Sequence, residues 1–301
     1  MSMIFARQKT MADRVFNLVN YSLLILFMII TIYPFFNSVV LAFNDGKDAL
    51  KGGIYFYPRV FTLVNFKEVL SQSEFIGAAF MTVARTLAGT ASSLLFTSAF
   101  GYVISKKYLC FRKFYMVFSL ITIYFSGGLI PTFILIRSLG LINNFLVYVL
   151  PGLLNMFNAL IFMSFFRTLP EALEESARLD GASDPVIFAR IILPISTPVL
   201  ASIALFTAVG HWNAWFDTML YANKLETLSH MFMKMVTMQQ FLEDPSNTSA
   251  MLAGEQAKLS SITSTSLNLA AMVVTSAPII LVYPFLQKYF VKGIMLGSIK
   301  G

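Results

Sequence analysis

Charge is scarce in this 301-residue chain: 12% of residues are Asp, Glu, Lys or Arg, against roughly a quarter in an ordinary soluble domain. That leaves too little polar surface to cover a core in water, and it excludes a soluble enzyme or a disordered chain. Cysteine is nearly absent too. Cys110 stands alone, so no intrachain disulfide can form. Two histidines and two tryptophans complete the short inventory. No G-x-x-x-x-G-K-[ST] loop is present, which excludes ATP hydrolysis by that route. No H-E-x-x-H occurs, and His211 and His230 lie far from any Cys or carboxylate cluster, so no metal site is expected. No G-x-S-x-G elbow appears. No catalytic residue, metal or cofactor is therefore assigned to the chain.

What is present is apolar: 57% hydrophobic residues, 30 of them Phe, with a mean hydropathy of +0.72. Six windows contain no Asp, Glu, Lys or Arg: Val15–Asn44, Thr86–Ser105, Phe114–Ile136, Ser138–Phe166, Ile191–Phe216 and Leu259–Gln287. Each reaches the ~20 residues that a ~30 Å hydrocarbon core requires. The reading is an all-α integral membrane protein of six transmembrane helices. The spans are placed at about 17–43, 80–105, 114–136, 145–167, 198–222 and 262–287 within a single domain, 1–301. The apolar run after Arg14 is too long for a signal-peptide core, so the first span stays.

The net charge of +7 has its natural place at the cytoplasmic ends of spans; no soluble basic domain exists to hold nucleic acid. With both termini inside, the inner segments carry 13 Lys and Arg and the outer ones 8, with Arg85 at the start of the second span completing the 22. The termini are expected to be cytoplasmic. Three connections then hold the polar mass: an outer loop 44–75, with strand-like and turn-like pieces around Gly52–Pro58, an inner loop 168–197, and an outer loop 223–258. Pro34, Pro131, Pro151, Pro278 and Pro284 should kink their spans, which a bundle tolerates. No carboxylate lies in any window, which argues against an ion-driven pump.

The inner loop is the most informative. Thr168 and Glu171 have capping-box spacing with Pro170 in the first turn. A helix should run to about Asp180 and end on Gly181 in a left-handed turn. Ser183 or Asp184 should cap a second short helix, opened by Pro185 and stopped by Pro194. Glu171, Glu174, Glu175 and Asp180 make the first helix acidic, and its opposite face is small and apolar. Such a pair of helices outside the membrane suits docking.

The run Glu175-Ser176-Ala177-x3-Gly181-x9-Ile191-x-Leu193-Pro194 resembles the E-A-A-x3-G-x9-I-x-L-P signature of permease subunits in type I ABC importers. Ser176 in place of the first Ala is the single departure. Asp180-Gly181-Ala182, the run Leu193-Pro194-Ile195-Ser196-x-Pro198 and the tail from Gln287 to Gly301 are similar to the oligosaccharide branch, typified by the second permease of the maltose importer. Val209–Asp217 and the run from Phe43 to Tyr55 resemble the sub-branch for complex polysaccharide fragments. The resemblance implies a bacterial plasma-membrane subunit that translocates oligosaccharides. It implies a second homologous permease, two cytoplasmic ATPase subunits that bind ATP and Mg, and an extracellular or periplasmic sugar-binding protein. Glu175, Ala177, Asp180, Gly181, Ala182, Ile191, Leu193 and Pro194 are then the ATPase-coupling residues. The tail 288–301, with Gly293 and Gly297 outside the bilayer, reads as a flexible segment that contacts the ATPases.

Candidate pathway residues sit in the fifth span: His211, Trp212, Asn213, Trp215 and Asp217. Trp212 and Trp215, three apart, would share one helix face, with Asn213 and Asp217 as a polar edge beside it. Aromatic faces and polar rims suit sugar rings, although Trp at the outer interface is also an ordinary belt residue. Asn155, Asn158 and Tyr124, midway along spans four and three, are further candidates. In the outer run Met231–Phe241, Met238, Gln239, Gln240 and Phe241 are the candidate docking residues for the binding protein. The alternative to an importer subunit is a stand-alone secondary transporter or channel for a small polar solute; a membrane-bound enzyme has no residues in its favour.

Overall fold

The computed structural model describes residues 11–243 and 263–298. It is helical, and among the described residues the extended pairing is one isolated bridge, Asn44 to Phe61. Two compact units are present, Met1–Val69 with Met238–Val273 and Leu70–Thr237 with Val274–Gly301.

In the first unit, α1 (Met11–Ala42) leaves nearly all of its apolar surface open; only 6% of its most hydrophobic window is buried. A helix so apolar and so bare is built for lipid or for a partner helix. After it the chain folds back on itself, and the run 52–58, read as strand-like and turn-like, holds bends at 55–57 and no strand. Thr62 donates its amide to the Phe43 carbonyl at 2.8 Å and Asp45 to Val60 at 2.9 Å. Asn44, wholly buried, accepts from the Val60 amide at 2.9 Å. Arg59 clamps the short α2 (Gly46–Ala49) through Asp48, with Nε to Oδ2 at 2.8 Å. Asn65, on α3 (Val64–Ser71), ties the base with bonds to the Ala42 and Asn44 carbonyls. A side-chain lattice replaces the ladder, so Tyr55, Phe56 and Tyr57 stay exposed.

The second unit is organised by α4 (Ser73–Ser105), which packs along α7 (Met156–Phe166) and α11 (Thr197–Asn213). Its inward side carries small polar residues, Thr82, Ser93, Thr97 and Ser98, all buried. Small side chains allow backbones to approach closely, the mode of packing that lipid favours. At Gly101 a Cβ would stand 2.7 Å from Phe162 Cβ and 2.9 Å from the Ala159 carbonyl. Around this contact Tyr102, Phe162, Phe166, Ala177, Ile187, Ile192, Val199 and Ile203 form one core.

Among the described residues, three helices are long and apolar enough to cross a membrane: α1, α4 and the first 19 residues of the last helix, Ser264–Val282. The other spans read from sequence as single helices are each broken. α5 (Arg112–Tyr124) and α6 (Leu129–Ser138) meet at 112°. Two 3-10 turns (Phe145–Tyr148 and Leu150–Gly152) meet α7 at 48°. The inner loop holds α8 (Ala172–Leu179), α9 (Asp184–Ile187), a π turn (Phe188–Ile192) and α10 (Leu193–Ile195). The stretch Asp184–Ile195 meets α11 at 84°. α12 (Phe216–Tyr221) and α13 (Leu228–Glu243) follow. The last helix, α14 (Ser264–Ser298), continues through Gly293 and Gly297 where a flexible tail was expected. The outer loop beyond 243 and the tail residues 299–301 lie outside the described residues.

Candidate functional site

The inner loop divides its residues between two jobs. Ala177 is buried in the core, with Ala182 and Ile191 packed against it. The Ala182 amide donates to the Ala177 carbonyl at 2.9 Å, which folds the end of α8 back under itself. That turn needs a left-handed residue, and Gly181 supplies it with φ +82°. Glu175, Asp180 and Gly181 remain exposed, and Leu179 stands 89% exposed beside them. Leu193 is half-buried and Pro194 exposed.

Two local expectations fail here. Thr168 does not cap α8; its hydroxyl donates to the Phe165 carbonyl at 2.7 Å. Glu171 already has helical dihedrals, and its carboxylate reaches Lys107 at 2.7 Å. An ion pair to the α4 end displaced the capping box. Pro194 does not stop the second helix, which runs to Ile195. The π turn before it shifts the hydrogen-bond register, so the missing proline N–H falls at a new helical start.

A band of charge fastens α8 to the end of α4. Lys106 pairs with Glu174 while lying 3.9 Å over the Tyr102 ring. Arg178 donates to the Tyr108 hydroxyl at 2.6 Å and to Asp184 at 3.0 Å. The Lys107 ammonium holds the Glu171 carboxyl below its usual range. Asp184 raises Arg178, and burial raises the Tyr108 phenol. Glu174 thus faces its own chain, whereas its neighbour Glu175 faces outward.

The second candidate site is a cleft of about 650 Å³ between α4, α6, α7 and α11. Of the residues expected in a pathway, it gathers Asn155, Asn158, His211 and Asp217. Asn155 has a structural task as well: its side chain caps α7, accepting from the Asn158 amide at 2.9 Å. His211 lies against α4 where Gly89 leaves room.

Trp212, Asn213, Trp215 and Tyr124 are not part of this lining. The shared tryptophan face does not exist, because α11 ends at Asn213 and Ala214 is extended. Trp215 precedes a separate helix. Trp212 is used inside the unit, its Nε1 donating to the Thr275 carbonyl at 3.0 Å and its own carbonyl accepting from Ser229 at 2.6 Å. Tyr124 ends α5, 88% exposed.

Arg85 is the residue that sequence reading missed. It lies 1% exposed, twelve residues into α4, and its guanidinium holds Asp217 with Nη2 to Oδ2 at 2.5 Å and Nη1 to Oδ1 at 3.2 Å. Nη1 also donates to the Ala214 carbonyl at 3.1 Å, and the Tyr148 ring lies 4.2 Å below. A signal was available. Arg85 and Asp217 each stand one residue outside a charge-free window and carry opposite signs.

The docking candidates lie on α13, a helix where an outer loop was expected. Met238, Gln240 and Phe241 are exposed. Gln239 is engaged, donating to the Thr265 hydroxyl at 3.0 Å and accepting from Asn268.

No family model matches the chain. It is 36% identical to Protein LplC of Bacillus subtilis over the full length of both. It is 34% identical to the polygalacturonan/rhamnogalacturonan transport system permease protein YtcP of the same organism, over 97% of this chain and 100% of that one. The arabinooligosaccharides transport system permease protein AraQ of Halalkalibacterium halodurans is 27% identical over 90% of this chain and 92% of its own. Among solved structures, a chain of a bacterial ABC transporter involved in the import of the acidic polysaccharide alginate superposes with a TM-score of 0.82. It is 27% identical, over 93% of this chain and 98% of that one.

Proposed function

The chain belongs to the multi-pass permease subunits of ABC sugar importers, and from that premise we propose that it is one half of a heterodimeric pathway for oligosaccharides. Six spans, three of them broken, form one permease domain with both termini in the cytoplasm. The loop 168–197 couples it to two ATPase subunits, which bind ATP and Mg and do the hydrolysis. A second, homologous permease completes the pathway. A sugar-binding protein delivers the substrate on the outer side, with Met238, Gln240 and Phe241 as contacts and Gln239 bracing them from behind.

The observation that carries this reading is the division of the loop motif. Ala177, Ala182 and Ile191 anchor it to the chain's own core, while Glu175, Asp180 and Gly181 are left facing water. A stand-alone transporter has no use for a rigid, exposed acidic knob outside the bilayer. A docked ATPase does, because packing and a charge pair transmit a rigid-body push. Glu175 pairs with a basic residue of the ATPase, and Gly181 permits close approach. The cleft holding Asn155, Asn158, His211 and Asp217 is the part of the pathway this subunit supplies. The names of the relatives support an oligosaccharide or polysaccharide fragment as cargo.

The test is purification of the tagged chain from its host membrane. A P-loop ATPase and a second permease should accompany it, and uptake in vesicles should require ATP. Uptake that persists without ATP would establish the stand-alone alternative.

A further inference from the structure

We propose that Arg85 is the positioning residue of a sugar subsite whose hydroxyl acceptor is Asp217, and that this subsite takes an uncharged ring in preference to a uronate. The proposal rests on the reading of the cleft as the pathway. Its basis is which member of the ion pair a solute can reach. The Arg85 side chain is 1% exposed and that of Asp217 30%, and both border the cleft. A solute therefore meets the carboxylate, with the cation shielded behind it.

Both terminal nitrogens of the guanidinium are engaged by its own chain, while the buried Nε has no hydrogen-bond partner among the described residues. The guanidinium donates to both oxygens of Asp217, to the Ala214 carbonyl and, at 3.4 Å, to Thr218 Oγ1. The Ala214 carbonyl belongs to the break after α11, where no helical amide is available to it. One side chain thus holds the break and aims the carboxylate. The Thr218 amide adds a bond to Oδ1 at 2.9 Å. Arg85 and that amide fill three of the roughly four acceptor positions of a carboxylate, so a position stays open for a hydroxyl. Asn158, Thr207 and His211 give the same cleft further polar edges. A uronate would bring a second carboxylate beside Asp217 between apolar walls, where repulsion is poorly screened. To draw on Nη1 or Nη2 of Arg85 it would have to compete with Asp217, the Ala214 carbonyl and Thr218 for them.

The experiment uses the assembled importer complex, purified without its binding protein, and equilibrium dialysis of two radiolabelled probes, galactotriose and trigalacturonate. The wild type should bind galactotriose at least about tenfold more tightly, the minimum expected of a like-charge clash. Arg85→Met with Asp217→Asn replaces the pair by neutral groups and removes the risk of a lone buried charge. That complex should assemble, and the preference should fall towards one. Arg85→Lys keeps the charge without the fork; it should weaken galactotriose binding and keep the preference. Equal or tighter trigalacturonate binding by the wild type, no binding of either probe, or an unchanged preference in the double variant would overturn the proposal. Thr207→Trp fills the cleft from α11 and tests the pathway reading separately. If it leaves binding of both probes and uptake unaltered, the cleft is not the pathway, whatever the pair does.

Discussion

The His211 ring occupies the space that a side chain at Gly89 would need: a Cβ there would lie 2.5 Å from both Cε1 and Nε2. Gly89 on α4 and His211 on α11 thus pack by mutual fit, and His211 in turn lines the cleft. Gly89→Ala should push the imidazole into the cleft and lower uptake severalfold at unchanged amounts of assembled complex, since a side chain can swing aside. Gly101→Ala should act differently. There the obstacle includes the Ala159 carbonyl, which cannot move alone, and overpacking costs ~1–3 kcal/mol. Less assembled complex is expected. Quantifying complex and uptake for both variants checks the pair, and equal uptake per complex in Gly89→Ala and wild type would refute the fit.

Adjacent glutamates on α8 should have separable phenotypes. Glu175 is exposed, so Glu175→Lys should leave the permease intact and impair ATPase docking. Glu174 pairs with Lys106, so Glu174→Ala should loosen the permease itself by ~1–3 kcal/mol, the worth of a charged hydrogen bond. Melting of the detergent-solubilised chain should shift for Glu174→Ala alone. Substrate-stimulated ATP hydrolysis in the reconstituted complex should fall for Glu175→Lys, and a normal rate there would remove Glu175 from the interface.

Gly181→Val should also uncouple, for a backbone reason. Nothing lies within 4 Å of a Cβ at this position, so the cost is that of holding a β-branched residue at φ +82°, about 1–2 kcal/mol. Gly181→Asn, which tolerates that conformation better, should retain more coupled hydrolysis. Equal loss in both variants would point to contact area instead.

Trp212 should behave as a structural residue. Trp212→Phe removes the Nε1 donor to the Thr275 carbonyl and should cost ~1 kcal/mol without changing the substrate concentration at half-maximal uptake. A shift in that concentration at normal complex levels would put Trp212 back into the pathway.

The outer loop should open in acid. A hydrogen bond from Arg59 is the largest effect holding the Asp48 carboxyl below its ordinary value; burial opposes it and comes next, ahead of the smaller contributions from Asn44 and Lys51. A lowered folded value means the stabilisation is complete above about pH 4, the unfolded carboxylate range, and is lost as pH falls through the folded value. Pepsin cleavage at Tyr55–Tyr57 should therefore accelerate as pH drops below 4, relative to Arg59→Gln, which should be cleaved readily throughout. Parallel profiles for the two proteins would show that the clamp does not hold the loop.

The two ends of the chain's logic were unequally legible. The Gly181 turn was readable because a helix end beside an acidic face leaves few conformations for a glycine. The small-residue face of α8 was readable because period and size specify which side packs. The breaks at Phe125–Gly128 and Ala214 were not, since an apolar window reports transfer into lipid and is indifferent to a bend within it.

Composition and charge placement were enough to determine a mostly helical membrane chain, and one spaced motif was enough to point to its family. Both are properties of residues taken along the chain, where the bilayer acts as solvent. Which polar groups face the cleft was decided only by tertiary structure. Arg85 and Asp217, 132 positions apart, acquire meaning from one another, because a charge is held at depth by its partner and not by its neighbours in sequence. The same holds for His211 and Gly89: absence of a side chain on one helix becomes a position for an imidazole only when another helix is packed against it.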